Sequence, residues 1–320
     1  MTAQPINGIH HVTAIATDPQ KNVDFYTSLL GLRMVKKTVN FDDPGTYHLY
    51  YGDGVGHPGT IMTFFPWPMA RRGSRGAGQA VVTSFSVPEG SMGYWVDRLE
   101  AMNVTAEKPK TRFDEEVLVF LDPDGLKLEL VAHADGDQGE PWSDGPVPAE
   151  YAVRGFHSVT LAVRNLDPTA DLLTETMGLG KVTELGERFR FAATGDEIAR
   201  RIDVLHTPDT ATGNVAAGTV HHVAFRVPDD LAQAAWIEKL ANAGVYPTEV
   251  RDRQYFKSIY FREPGGTLFE FATDPPGFTW DEEPAELGTG LRLPPWLEPQ
   301  RDRIERALPK IEISALQETS

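Results

Sequence analysis

The stretch GIHHVTAIATDPQKNVDFYTSLLGL, Gly8 to Leu32, returns in altered form as GFHSVTLAVRNLDPTADLLTETMGL, Gly155 to Leu179. Each opens on a glycine, runs through a β-branched strand, crosses an Asp-Pro and ends a helical segment at Gly-Leu. With Gly8 set on Gly155, Gly31 falls on Gly178 without a gap, and further on Gly52-Asp53 answers to Gly195-Asp196. A second pair follows the same logic. AVVTSFSVPEG (from Ala80) with YWVDRLEAMNV matches VHHVAFRVPDD (from Val220) with AWIEKLANAGV: a strand ending at proline, an amphipathic helix, a short turn. Both close with a hairpin, DPDGLKLEL (Asp122 to Leu130) and EPGGTLFEF (Glu263 to Phe271), whose Pro-Asp-Gly and Pro-Gly-Gly turns are flanked by alternating strands.

The chain therefore reads as four βαβββ modules in two halves, an α+β fold in which each pair of modules forms a cupped mixed sheet with helices on its outer face. The expected boundaries are residues 1–133 for the first two modules, a turn-rich joint at 134–153, the second two modules over 154–274, and a tail over 275–320. The tail is rich in Pro and Glu and carries one helical candidate, RDRIERALPKIE.

Bulk properties narrow the function. At 320 residues, 41% hydrophobic and 24% charged, the chain has ample core for a globular protein. Its net charge of −16 argues against nucleic acid or an anionic membrane surface as partner. The absence of cysteine excludes disulfides, thiolate metal sites and cysteine nucleophiles, so a transition metal would need His, Asp and Glu. No run approaches the ~18 apolar residues of a membrane span. MTAQPINGIHH shows no basic segment followed by an apolar one, which makes a cytoplasmic location the expectation.

Strand alternation then sorts the side chains by face. His11, Thr13 and Ile15 oppose Val12 and Ala14; His222, Ala224 and Arg226 oppose Val223, Phe225 and Val227; Glu270 opposes Phe269 and Phe271. His11, His222 and Glu270 are thus expected in the open cup, while His10 and His221 alternate to the other face. In the repeat alignment His11 corresponds to Ser158, His222 to Val82 and Glu270 to Glu129. If one odd and one even module complete a site, only modules one and four yield two histidines and a carboxylate. A one-residue slip in register would leave His157 as a substitute for Ser158. Glu129 reads as a relic or a salt-bridge partner; His48, His57, His133 and His206 carry no usable signal.

These repeats resemble the vicinal-oxygen-chelate superfamily, which includes glyoxalase I, extradiol dioxygenases and bleomycin-resistance proteins. GIHHVTAIATDPQKNVDFYTSLLGLRMVKKTVNFDDPGTYHLYYGD, GFHSVTL, TVHHVAFRV, REPGGTLFEFATDPPGF and LRLPPWLEPQR are similar to the ring-cleaving hydroquinone dioxygenases along the whole chain. The resemblance implies iron ligands at His11, His222 and Glu270, the trio the repeats select. It also implies pocket roles for Tyr260 and Arg253, and supporting positions for His10, Thr13 and His221. Of these, Tyr260, Arg253 and His221 are the catalytic candidates; His10 and Thr13 are the substrate-binding candidates.

Two imidazoles and one carboxylate leave an open coordination face, as non-haem Fe(II) oxygenases require. The expected cofactor is Fe(II), with Mn(II) as the other candidate, and the expected partners are a small aromatic diol and O2; a homo-oligomer stays open. Two rivals remain at this stage. A glyoxalase-like lyase or isomerase would want a second carboxylate in the cup, and a binding protein of the bleomycin-resistance kind would need no ligand trio.

Overall fold

The modules pair across the halves of the sequence, the first with the fourth and the second with the third. The computed structural model describes residues 3–4, 6–195 and 198–313. Asp196, the counterpart of Asp53, and the last residues of the tail lie outside them.

Module one contributes β1 (Ile9–Ala16), α1 (Pro19–Asp24, running on as a π-helical turn over Phe25–Leu29), β2 (Arg33–Asn40), β3 (Asp43–Gly52) and β4 (Ile61–Pro66). Module two contributes β5 (Gln79–Pro88), α2 (Met92–Ala101), β6 (Lys110–Arg112), β7 (Glu115–Leu121) and β8 (Lys127–His133). Module three holds β9 (Phe156–Val163), α3 (Leu166–Asp171, with a π-helical turn over Leu172–Thr176), β10 (Gly180–Leu185), β11 (Arg188–Ala192) and β12 (Arg201–His206). Module four holds β13 (Val220–Val227), α4 (Asp230–Asn242), β14 (Arg251–Asp252), β15 (Lys257–Arg262) and β16 (Leu268–Thr273). The π-helical turn falls at the same place in modules one and three, so the repeat survives even in this irregularity.

One eight-stranded sheet runs β14-β15-β16-β13-β1-β4-β3-β2 and the other β10-β11-β12-β9-β5-β8-β7-β6. Both are mixed: β1 meets β13 antiparallel and β4 parallel, and β9 meets β5 antiparallel and β12 parallel. The apolar strand faces, including Val12, Ala14, Val223, Phe225 and Phe271, share one core with helix residues such as Tyr26, Trp95 and Trp236. Burial of that face is what presses the helices onto the outside and leaves the other face as the cup.

On the central strands β1, β13, β5 and β9, simple alternation fails at four equivalent points. Along β1 the partners step from Ile9↔Phe225 to His11↔Ala224, leaving His10 as an extra residue; along β13 they step from Thr13↔His222 to Ala14↔Val220, leaving His221. The second sheet has the same interruptions at His157 and Val81. A bulge re-aims the inserted side chain. The expectation that His10 and His221 point away from the cup is thereby corrected: each ring lies against that of the ligand candidate beside it.

The joint at 134–153 carries no helix or strand and packs on α2, where Tyr151 stacks on Tyr94 with ring centroids 4.5 Å apart. The tail returns along the free edge of β2 and carries α5 (Arg301–Ala307). Lys36 reaches into it to bind Asp281 and Glu282, and Trp296 packs against Phe41.

Candidate metal centre

His11, Ala224 and Glu270 form one row across three neighbouring strands, β1, β13 and β16. Ala224, too small to fill the space above itself, floors the gap between imidazole and carboxylate. His222, on the same side of β13, closes the triangle. Its Nε2 lies 3.3 Å from His11 Nε2 and 2.9 Å from Glu270 Oε2, and His11 Nε2 lies 3.5 Å from the same oxygen. Donors held at about 2.1 Å from a cation on one octahedral face stand about 3.0 Å apart. The three atoms fit such a face.

Glu270 is divided in function. Ser258 Oγ donates to Oε1, whereas Oε2, fully buried, has no aligned hydrogen bond. An orphaned carboxylate oxygen in a protein interior is costly, and a cation between the three donors would remove that cost. Burial pushes the Glu270 carboxyl up, but the facing His11 and His222 outweigh it and hold it well below its ordinary range. Burial also lowers His222. An ionised acid opposite a neutral imidazole is the state that ligates a metal.

Behind His11 and His222 stand the two bulge histidines. His10 Nδ1 is 2.9 Å from His11 Nδ1, and His221 Nδ1 is 2.8 Å from His222 Nδ1. Coordination through Nε2 would leave the proton of His11 or His222 on Nδ1, to be donated to the neighbour, which would fix tautomer and ring orientation. Burial keeps both neighbours neutral, lowering His10 well below its ordinary value and His221 to about 3.

The trio opens on a cavity of about 260 Å³ with aromatic walls, Phe65, Trp67 and Phe256 among them. Arg253 Nε donates to Tyr260 OH at 3.2 Å and Nη2 to Asp42 at 3.0 Å. Burial and the nearby Glu270 carboxylate raise Tyr260, so its phenol stays protonated. His221 lines the same cavity, whereas His10 and Thr13 stand one layer back, against His11 and Thr63.

Two wall residues escaped the reading of the sequence. Tyr50 OH is 2.9 Å from His48 Nδ1, His48 Nε2 is 2.7 Å from Thr63 Oγ1, and Thr63 Oγ1 is 3.1 Å from Thr13 Oγ1. The signal available was weak: His48 and Tyr50 share a strand face with polar counterparts, Arg188 and Arg190, in module three.

His157 is not part of the trio. It lies in the other sheet, bound to Glu115 Oε1 at 2.9 Å and to Ser158 at 3.0 Å. Glu115, His133 and His157 also come close enough to hold an ion, but both oxygens of Glu115 and both nitrogens of His157 are engaged: Arg190 takes Glu115 Oε2 at 2.7 Å, and Ser86 meets His133 Nε2 at 2.8 Å. Glu129 is a salt-bridge partner, gripped by Arg112 through both oxygens at 2.9 and 2.6 Å.

Comparison with known proteins agrees with this architecture. A family model described as Glyoxalase/Bleomycin resistance protein/Dioxygenase superfamily matches residues 8–130 and 155–271. The chain is 49% identical over 98% of its length to "Putative ring-cleaving dioxygenase MhqO" of Bacillus subtilis, covering 99% of that protein. It is 37% identical over 95% of its length to "Chlorohydroquinone/hydroquinone 1,2-dioxygenase" of Sphingobium indicum, covering 96% of it. A crystal structure of a Bacillus subtilis protein, titled as a putative dioxygenase, superposes with a TM-score of 0.93 at 49% identity over 98% of this chain and all of that one. Glyoxalase I of Zea mays shares the fold alone, at a TM-score of 0.62 and 13% identity over 83% of this chain and 92% of that one.

Proposed function

We propose that this chain, which belongs to the Glyoxalase/Bleomycin resistance protein/Dioxygenase superfamily, is an Fe(II)-dependent extradiol-type dioxygenase that opens the ring of a hydroquinone or catechol-like diol with O2. The observation that carries the reading is the convergence of two imidazole Nε2 atoms on Glu270 Oε2, which has no aligned hydrogen bond, beside an aromatic-walled cavity. The relatives named as ring-cleaving and hydroquinone dioxygenases support the choice of chemistry.

His11, His222 and Glu270 would hold the metal. Fe(II), if bound there, would supply Lewis acidity toward a ring hydroxyl and redox capacity toward O2. The protein's own groups do the rest. Phe65, Trp67 and Phe256 hold a flat ring and exclude water. Tyr260 OH accepts from Arg253, which turns its own proton away from the guanidinium and makes it available to a bound oxygen. Arg253 stays cationic, because Tyr260 and Asp42 outweigh its burial, and it steadies negative charge developing on oxygen. His221 accepts at Nδ1 and therefore carries its proton on Nε2. Asp42, another carboxylate on the cavity wall, is engaged by Arg253 and does not enlarge the ligand set.

Protein purified anaerobically and loaded with Fe(II) should consume one O2 per diol, lose the aromatic absorbance and carry both atoms of 18O2 into the product. An iron-loaded sample that takes up no O2 with hydroquinone, catechol or their substituted forms contradicts the proposal.

A further inference from the structure

Arg253 and Arg112 occupy matching positions, the same number of residues ahead of the strand residue that faces the carboxylate. Tyr260 sits directly opposite Glu270 on β15/β16, and Val119 directly opposite Glu129 on β7/β8. The turns agree as well: Arg253 N bonds Phe256 O as Arg112 pairs with Glu115.

With valine in the facing position, the guanidinium folds over the strand and forks onto both carboxylate oxygens, at 2.9 and 2.6 Å. With tyrosine there, it is stopped short. Its Cζ lies 5.5 Å from the Tyr260 ring centroid, Nε binds the phenol oxygen, and Glu270 Oε2 stays without a hydrogen bond. Asp42 also holds Arg253, but it is an exposed rim carboxylate, and such pairs are weak. A buried fork onto a carboxylate is among the strongest side-chain pairings, and it would occupy the oxygen a cation needs.

We propose that Tyr260 is a positioning residue for the metal centre: its ring is a wedge that keeps Arg253 off Glu270. This rests on the reading of His11, His222 and Glu270 as a metal site. The wedge is a matter of volume first and of the hydroxyl second. Removing the ring turns the first cup into the second, with the arginine competing against the metal for the same carboxylate.

Co(II), followed by its visible absorption, tests this without any turnover. The wild type should bind one equivalent at this centre, and Tyr260→Phe should bind nearly as tightly. Tyr260→Val should bind roughly 10- to 100-fold more weakly, and Tyr260→Val with Arg253→Ala should regain wild-type affinity. Each variant is checked for a cooperative thermal melt; if valine prevents one, Tyr260→Leu carries the same comparison. The wedge is overturned if the single variant binds like the wild type, or if the folded double variant stays as weak as the single one. A wild type that takes up no Co(II) removes the metal centre itself, and the wedge with it.

Discussion

The two cups are the same scaffold put to opposite uses. In the first, the row across the strands reads His222, Thr13, Thr63, Tyr50; in the second, the matching row reads Val82, Thr160, Asp203, Arg190. His11 is matched by Ser158 and Phe256 by Glu115. The second cup is filled with paired ions. Arg112 holds Glu129, Arg188 and Arg190 hold Asp203, and Arg190 also holds Glu115. The first cup keeps a neutral hydrogen-bonded wall and leaves one carboxylate oxygen open. Burial is comparable in the two, so it is pairing that separates them: a carboxylate matched by a guanidinium closes a site, and one left unmatched among neutral imidazoles invites a cation.

Matched substitutions should therefore have unlike effects. Glu270→Gln should abolish metal retention and turnover, read by metal content and O2 uptake, whereas Glu129→Gln should leave both intact. The cost of Glu129→Gln falls on stability instead. It strands Arg112 in the second cup, and denaturant titration should show a loss of about 3–5 kcal/mol, typical of breaking a buried ion pair from one side.

Acid titration gives a smaller effect, which in the second cup can be read at His133. Burial lowers His133 from 6.5 to about 4, so the folded state favours its neutral form. That contribution is complete above pH 6.5 and is lost as pH falls toward 4. Discounted for partial solvent screening, it is on the order of 2 kcal/mol, and unfolding curves of His133→Gln should show a flatter slope across that window than the wild type. Smallest of all, Tyr50→Phe interrupts the neutral wall of the first cup. It should raise KM for the proposed diol substrate roughly 2- to 10-fold, the worth of one hydrogen bond, without loss of metal content.

Much of this contrast was legible in the residues themselves. The glycine-anchored repeats fixed four modules, and only the pairing of modules one and four brought His11, His222 and Glu270 together, as the sheets do. Parity misplaced His10 and His221, because counting alternate residues cannot see an inserted one, and none of the four bulges is marked by glycine or proline. His48 and Tyr50 were passed over because their partners, Thr63 and Thr13, lie on other strands. The ion network of the second cup was hidden for a similar reason. Arg112, Arg188 and Arg190 look like ordinary charged strand residues until the fold turns them inward. The tail's course along β2 depends on Lys36, a buried lysine whose acidic partners are distant in sequence.

Iron-edge anomalous diffraction from crystals grown with Fe(II) without oxygen puts the difference between the cups to the most direct test. One peak per chain, bounded by His11 Nε2, His222 Nε2 and Glu270 Oε2, is the predicted result. A peak among Glu115, His133 and His157, or none beside Glu270, would contradict it.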